Sequence, residues 1–151
     1  MAVEAGEETS LERAAASQLS VRLLAPDEAP LHAALLAAGF EAPQQLFEQL
    51  ITPGVLAMPT ARCYVGSVDG ETVATALGLS GGDHVGVYNV ATMPEHRGLG
   101  YGAAISARAA LDGFAAGASY AYLQSSAAGY RVYQRLGFEE LEAWALWTSG
   151  G

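Results

Sequence analysis

The sequence contains no lysine, so all seven of its basic residues are arginines, against sixteen acidic residues. The formal net charge is −9 at pH 7. Binding to nucleic acid depends on basic side chains that neutralise several phosphates, and this balance therefore argues against a nucleic-acid partner. It is compatible with a cationic amine or a basic peptide, although net charge alone identifies no ligand.

Cysteine and long apolar runs are also scarce. The single cysteine, Cys63, excludes an intrachain disulfide and favours a reducing compartment. No run reaches the ~20 apolar residues of a membrane helix, and the N-terminus lacks a basic stretch followed by an apolar one. We therefore expect a soluble cytoplasmic protein without a membrane partner. The histidines His32, His84 and His96 lie far apart in sequence, so we expect no metal site.

The pattern of apolar residues predicts one globular domain. Residues 1–19 are acidic and alanine-rich, and we expect a flexible or peripheral segment there; residues 20–148 form the domain. The predicted order is strand, two helices, three strands joined by hairpins, helix, strand, helix and strand. This order indicates an α+β fold with a mixed central sheet of about six to seven strands flanked by helices. Trp144 and Trp147, on the last predicted strand (Leu141–Trp147), could pack in the core or at a homodimer interface.

Three glycines, Gly98, Gly100 and Gly102, lie between a predicted strand (Val85–Thr92) and an alanine-rich helix. Glycine costs about 1 kcal/mol relative to alanine inside a helix, so propensity does not explain them. The free N–H groups and the dipole of a helix N-terminus attract anions, and bare backbone permits close approach. We interpret the stretch as a pyrophosphate-binding loop. A plain turn with close helix–sheet packing is the structural alternative.

Two familiar phosphate loops do not fit this stretch. A nucleoside-triphosphate loop ends in Gly-Lys-Ser/Thr, and the chain has no lysine. The dinucleotide fingerprint needs other glycine spacing and an acidic residue at the end of the next strand, which here reads Gln124-Ser125-Ser126. A loop that binds acyl-coenzyme A is the third interpretation.

Two motifs carry a resemblance to a known family. Thr92–Gly102 resembles the first motif of the GNAT superfamily of N-acetyltransferases, Val-x-Pro-x-x-Arg/Gln-x-x-Gly-x-Gly/Ala. Tyr133–Phe138 resembles the tyrosine-bearing helix that ends in Gly-Phe. The motifs occur in the family's order, and the resemblance covers about residues 20–148. It implies a GNAT-like fold and transfer of an acetyl group from acetyl-CoA to a primary amine, without a metal.

The resemblance also implies a set of site residues. The backbone of Val90, Ala91 and Thr92 would pair with the pantetheine arm, and an N–H group near Val90 or Ala91 would stabilise the oxyanion. Tyr133 would act as general acid, although a core tyrosine is the alternative. Ser126, where the family often has Asn, would bond the pantetheine or cap the helix. The pyrophosphate would lie on Arg97, Gly98, Leu99, Gly100, Tyr101, Gly102 and Ala103.

Other assignments stay open at this stage. Arg97 could pair with a phosphate or only hold the loop, and Arg131 and Arg135 could approach the nucleotide's phosphates. No residue stands out as the general base. The acceptor is unidentified, and its pocket is expected around His32–Ile51 and Leu79–His84. A non-catalytic acyl-CoA sensor or regulatory module is the alternative function.

Overall fold

The computed structural model describes residues 1–143 and residue 145. Within them a sheet of six strands has the order β1-β6-β5-β4-β3-β2, flanked by helices on both faces. Strands β2 to β5 pair antiparallel with their neighbours, β5 and β6 pair parallel, and β1 pairs antiparallel with β6. The predicted mixed sheet and α+β class are therefore confirmed. The strands are β1 (Ala2–Glu4), β2 (Ser20–Leu23), β3 (Ala61–Val68), β4 (Glu71–Gly81), β5 (His84–Thr92) and β6 (Tyr120–Tyr122).

Helices lie between these strands and cover the two faces of the sheet. They are α1 (Thr9–Ala15), α2 (Ala29–Phe40), α3 (Gln44–Leu50), α4 (Pro53–Leu56), α5 (Tyr101–Ala115) and α6 (Tyr130–Arg135), with 3-10 turns at Pro26–Glu28 and Pro94–His96. Among these elements, no helix is long and apolar enough to cross a bilayer.

Side chains point alternately to the two faces of the sheet along the central strands, and this divides the core into two layers. Val85 and Val87 face α5, whereas Cys63 and Leu77 face α2. Glycine permits close packing on both sides: a Cβ at Gly113 of α5 would lie 2.3 Å from Val85, and one at Gly39 of α2 would lie 2.6 Å from Ala91. From the sequence, a helix that opens at Asp27-Glu28 is expected to stop at Gly39, and this expectation is wrong. The helix continues to Phe40 and ends at Glu41, whose backbone is left-handed at φ 54°.

The N-terminal segment packs on the domain, with β1 at one edge of the sheet. Residues 2–4 form β1, which pairs with β6, and residues 9–15 form α1, which packs against α5. Val3 and Leu11 are buried in the same core layer as α5. Burial of these two side chains removes apolar area from water, which is why an acidic, alanine-rich segment is held against the domain.

Two elements near the C-terminus are shorter than predicted. The alternating pattern predicts a strand over 119–125, but β6 ends at Tyr122 because the chain then leaves its neighbour β5. The predicted helix 127–136 begins only at Tyr130. The predicted last strand, Leu141–Trp147, lies mainly outside the described residues, including both tryptophans; its described residues form no strand.

Candidate active site

A cleft opens where β5 and β6 separate. The two strands pair only from His84 to Gly86 on β5, opposite Tyr120–Tyr122. Beyond these residues a cleft of about 910 Å³ lies between the end of β5, the start of α5 and helix α6. This volume is within the range of about 300–1,000 Å³ that small-molecule and cofactor sites occupy.

A bulge bends β5 at the mouth of this cleft. Thr75 pairs with Ala91 and Leu77 pairs with Tyr88, so two residues of β5 oppose one of β4. One of the two, Asn89, has a left-handed backbone at φ 52°. A bulge of this kind interrupts regular pairing and re-aims the backbone groups beside it. The bulge lies just beyond Gly86, where the pairing of β5 with β6 ends.

The glycine loop presents free N–H groups to the cleft. From Gly98 through Ala103, no backbone N–H donates to an acceptor among the described residues, and the first bond of the helix runs from Ala104 N to Gly100 O. Helix α5 has no side-chain N-cap and no acidic residue in its first turn. Such a row of unpaired donors at a helix N-terminus fits an anion well.

These three positions are glycine for two different reasons. Gly98 and Gly100 precede the helix with φ of +78° and +85°, a region that other residues rarely adopt. Only Gly102 lies in the helix, where a Cβ would stand 3.2 Å from Thr92 Oγ1. The helical penalty expected for three glycines thus applies to one of them. Backbone conformation and helix–strand packing therefore explain why these three positions are glycine. The N–H groups of the loop are unpaired because they face the cleft.

The charge of the cleft is opposite to that of the whole chain. Arg13, Arg97 and Arg135 line it together with His96, and no Asp or Glu among the described residues does. A protein of formal charge −9 thus keeps acidic groups away from this one region. A cleft lined by a single sign of charge concentrates ligands of the opposite sign.

The Arg97 side chain forms a hydrogen bond that holds the glycine loop in place. Its Nη2 donates to the carbonyl of Gly39 at 2.5 Å, and this bond joins the loop before α5 to the end of α2. Of the two expected roles, the structure shows the loop-holding one.

Tyr133 lies on α6 with its ring against Phe138 at 5.9 Å between centroids. Burial raises the pKa of the Tyr133 phenol, and the nearby Ser106 hydroxyl opposes this rise. Ser106 Oγ is fully buried and has no hydrogen-bond partner of good geometry among the described residues. The phenol lines the cleft and holds its proton at neutral pH, as a general acid must.

Ser126 holds the turn before α6, whose N-cap is Gly129 and has no side-chain cap. Its Oγ accepts from Gly129 N at 3.2 Å, and its carbonyl accepts from Tyr130 N. The hydroxyl therefore fixes the turn that leads into α6, while the residue still lines the cleft.

The structure brings nearly all of the predicted site residues to this one cleft. Leu99 does not line it, since its side chain points to solvent and is 62% exposed. We call residues 90–103 the main-chain wall and residues 126–136, with α1, the side-chain wall. The predicted residues that line the cleft are Val90, Ala91, Thr92, Arg97, Gly98, Gly100, Tyr101, Gly102, Ala103, Ser126 and Tyr133.

Of the segments expected near an acceptor or a base, only Gly39 and Phe40 line the cleft among the described residues. His32 is fully buried and bonds Thr75 Oγ1 at 2.6 Å, and burial lowers its pKa to about 4. Asp83 and His84 do not line the cleft; they lie 3.5 Å apart at the other end of β5.

Two features of the cleft were missed from the sequence. Tyr88 lines it, and its hydroxyl is hydrogen-bonded to that of Tyr122. Burial, with this hydrogen bond, raises the pKa of Tyr88 to about 12, so it is protonated at neutral pH. The sequence shows that Tyr120 and Tyr122 alternate along one predicted strand, but it does not show that this strand pairs with β5. The second feature is Arg13 of α1, for which the sequence held no signal.

Comparison with known proteins agrees with this geometry. The acetyltransferase (GNAT) domain matches residues 59–140. A search of curated proteins gives no match. The structure is similar to a Trypanosoma brucei acetyltransferase, with a TM-score of 0.69 and 20% identity over 87% of this chain and 99% of that one.

Two further structures contain ligands. A predicted acetyltransferase from Clostridium acetobutylicum, solved with acetyl-CoA, has a TM-score of 0.70 and 16% identity over 86% of this chain and 96% of that one. AAC(6')-Iy, in complex with the bisubstrate analogue CoA-S-monomethyl-acetylneamine, has a TM-score of 0.71 and 17% identity over 89% of this chain and 100% of that one. With the domain match spanning more than half of the sequence, the chain belongs to the GNAT acetyltransferase family and is an acyltransferase.

Proposed function

We propose that this chain is an N-acetyltransferase that moves an acetyl group from acetyl-CoA to a primary amine, with Tyr133 as the general acid. The observation that carries the proposal is the row of unpaired N–H groups from Gly98 to Ala103, which faces a cleft lined by arginines and by no carboxylate among the described residues. Coenzyme A is a polyanion with an extended pantetheine arm. The unpaired N–H groups and the arginines would complement its negative charge, and main-chain groups of β5 would complement the arm.

The main-chain wall would hold the acetyl donor. The N–H groups from Gly98 to Ala103 suit the diphosphate, since a helix N-terminus favours anions. Val90 belongs to the bulge and Ala91 and Thr92 follow it, in a part of β5 that still pairs with β4 but has lost β6 as a neighbour. The main-chain groups on the side that β6 has left would suit the amides of the pantetheine arm, in the manner of an added strand. The thioester then lies beside the bulge at Asn89 and Val90.

The chemistry requires one bond to form and one to break. The neutral amine attacks the carbonyl carbon, a C–N bond forms, and the C–S bond to coenzyme A breaks. An N–H group near Val90 or Ala91 would stabilise the negative charge that develops on the carbonyl oxygen. Tyr133 would give its proton to the departing sulfur, and the amine would lose one to water.

No residue is proposed as the base. No carboxylate of the described residues lines the cleft, and Tyr88, with a pKa of about 12, is a poor proton acceptor at neutral pH. The amine would therefore have to arrive neutral. For an acceptor of ordinary amine pKa, this requirement makes kcat/KM rise with pH up to the pKa of that amine.

The test is release of free coenzyme A from acetyl-CoA in the presence of a panel of amines: neamine, a polyamine, free amino acids and a peptide N-terminus. Neamine belongs in the panel because AAC(6')-Iy was solved with a neamine-based analogue. A thiol reagent can report the product, because Cys63 is buried and its pKa is raised to about 12, which keeps its thiol protonated.

The outcome separates the two functions. Turnover with any amine supports the enzyme. Calorimetric binding of acetyl-CoA with no turnover on any amine favours the non-catalytic acyl-CoA module. Absence of binding removes both.

A further inference from the structure

The side-chain wall carries two arginines that the proposed mechanism does not use. Arg13 lies in the last turn of α1 and Arg135 in the last turn of α6. Both line the cleft. Among the described residues, neither makes an ion pair or a side-chain hydrogen bond, whereas Arg22 and Arg108 each pair with a carboxylate. Two unpaired guanidinium groups thus share one cleft in an acidic protein.

Packing fixes the helices that carry these arginines. Glu7 O, just before α1, lies 3.9 Å from where a Cβ would stand on Gly137, just after α6. Leu11 of α1 is fully buried, and Leu136 belongs to the same core layer. The backbones under Arg13 and Arg135 are therefore anchored, although both side chains are exposed. Both arginines thus belong to the side-chain wall.

The ligand offers a matching group. The diphosphate would use the N–H groups of the loop, but coenzyme A has a further phosphate, the 3′-phosphate of its ribose. That group carries close to two negative charges at neutral pH, and the net charge of this chain would repel it. Guanidinium groups suit phosphate because their planar donors can make two parallel hydrogen bonds.

We propose that Arg13 and Arg135 together bind the 3′-phosphate of coenzyme A. The inference rests on the proposed function, since it needs coenzyme A in the cleft. Arg135 lies within the matched GNAT region, but Arg13 lies outside it, in the segment that precedes residue 59. Helix α1 would thus be a part of the cofactor site that this chain adds to the matched domain.

The experiment compares coenzyme A with 3′-dephospho-coenzyme A by calorimetry at one fixed ionic strength. The variants are Arg13→Gln and Arg135→Gln. Arg131→Gln is the matched control, because Arg131 has the same charge on α6, is exposed and does not line the cleft. All four proteins are checked for the same melting temperature, which exposed side chains should leave unchanged.

The unmodified protein should bind coenzyme A about tenfold more tightly than the dephospho form, the size expected for hydrogen bonds to a charged group. Arg13→Gln and Arg135→Gln should each remove most of this preference by weakening binding of coenzyme A alone. Arg131→Gln should keep it. Equal binding of both ligands by the unmodified protein, or an equal loss of both in the variants, overturns the inference while coenzyme A binding stands. If the unmodified protein binds neither ligand, the proposed function itself fails.

Discussion

One part of the cleft lining, from Val90 to Ala103, offers main-chain groups, whereas the part on α6 and α1 offers side chains. The main-chain wall depends on backbone shape: a bulge at Asn89, two left-handed glycines and a helix start without a cap. The side-chain wall depends on what Tyr133, Ser126, Arg13 and Arg135 carry. The first wall is therefore damaged by adding atoms and the second by removing them.

The largest effect is expected where an added side chain meets the main-chain wall. Gly100→Val should weaken acetyl-CoA binding at least ~100-fold, or about 2.7 kcal/mol, because a branched side chain strains the backbone at φ +85° and takes ligand space. Calorimetry measures this loss. Gly117→Val is the control: Gly117 has φ +103° just after the same helix ends, also with nothing within 4 Å of its Cβ position. Tight binding by folded Gly100→Val would falsify the assignment of the loop.

On the side-chain wall, removal of one oxygen should act on turnover alone. Tyr133→Phe should lower kcat at least ~10-fold, which is about 1.4 kcal/mol of transition-state stabilisation, with little change in acetyl-CoA affinity. Steady-state kinetics and calorimetry together give both numbers. Tyr130→Phe, one turn earlier on α6 and outside the cleft lining, should keep kcat. Equal kcat in Tyr133→Phe and the unmodified protein would take Tyr133 out of the mechanism.

Ser126 should have a smaller effect, because it holds the turn before α6 and does not react. Ser126→Ala should lower the free energy of unfolding by about 0.5–1 kcal/mol through loss of the bond from Gly129 N. We expect kcat to change by less than about threefold, far less than a lost transition-state contact would cost. Urea unfolding provides the first value, and Ser125→Ala, whose hydroxyl bonds only the adjacent carbonyl, is the control. A large loss of kcat without loss of stability would instead place Ser126 on the substrate.

The smallest effect concerns pH. Burial raises the pKa of Tyr133, so the phenol keeps its proton to higher pH than the ordinary value of about 10. We expect kcat to show no alkaline decline below about pH 10, and acetyl-CoA affinity to be flat from pH 8 to 10, because main-chain N–H groups do not titrate. Rate profiles and calorimetry over this range test both. A decline of kcat centred near pH 9, in a protein still folded by circular dichroism, would contradict the assigned proton donor.

The sequence predicted the main-chain wall better than the side-chain wall. Glycines and Pro94 mark the loop through local backbone rules, so the position of the main-chain wall followed from the sequence. The predicted strands joined by hairpins, and the helix after the loop, followed for the same reason. The sequence did not predict that β6 ends at Tyr122. The alternating pattern continues beyond this residue, and the strand ends only because the chain departs from β5.

The side-chain wall needed tertiary information. Nothing in Thr9–Ala15 indicates which helix it packs on, and β1 is only three residues long, too short for a periodic signal. Arg13 was therefore invisible as a site residue. Tyr133 was predicted through the resemblance to GNAT motifs, since a tyrosine at helical spacing is otherwise an ordinary core residue.

The pairing of β1 has a consequence for synthesis on the ribosome. Ala2 pairs with Tyr122, so the strand leaves the exit tunnel long before its partner has been translated. Until then the backbone of β1 has no partner strand. We expect this strand to join the sheet last during biogenesis, when β6 emerges, and a contact of such long sequence separation slows this final step. A nascent chain halted before Tyr120 should therefore carry its first strand unpaired and open to proteolysis.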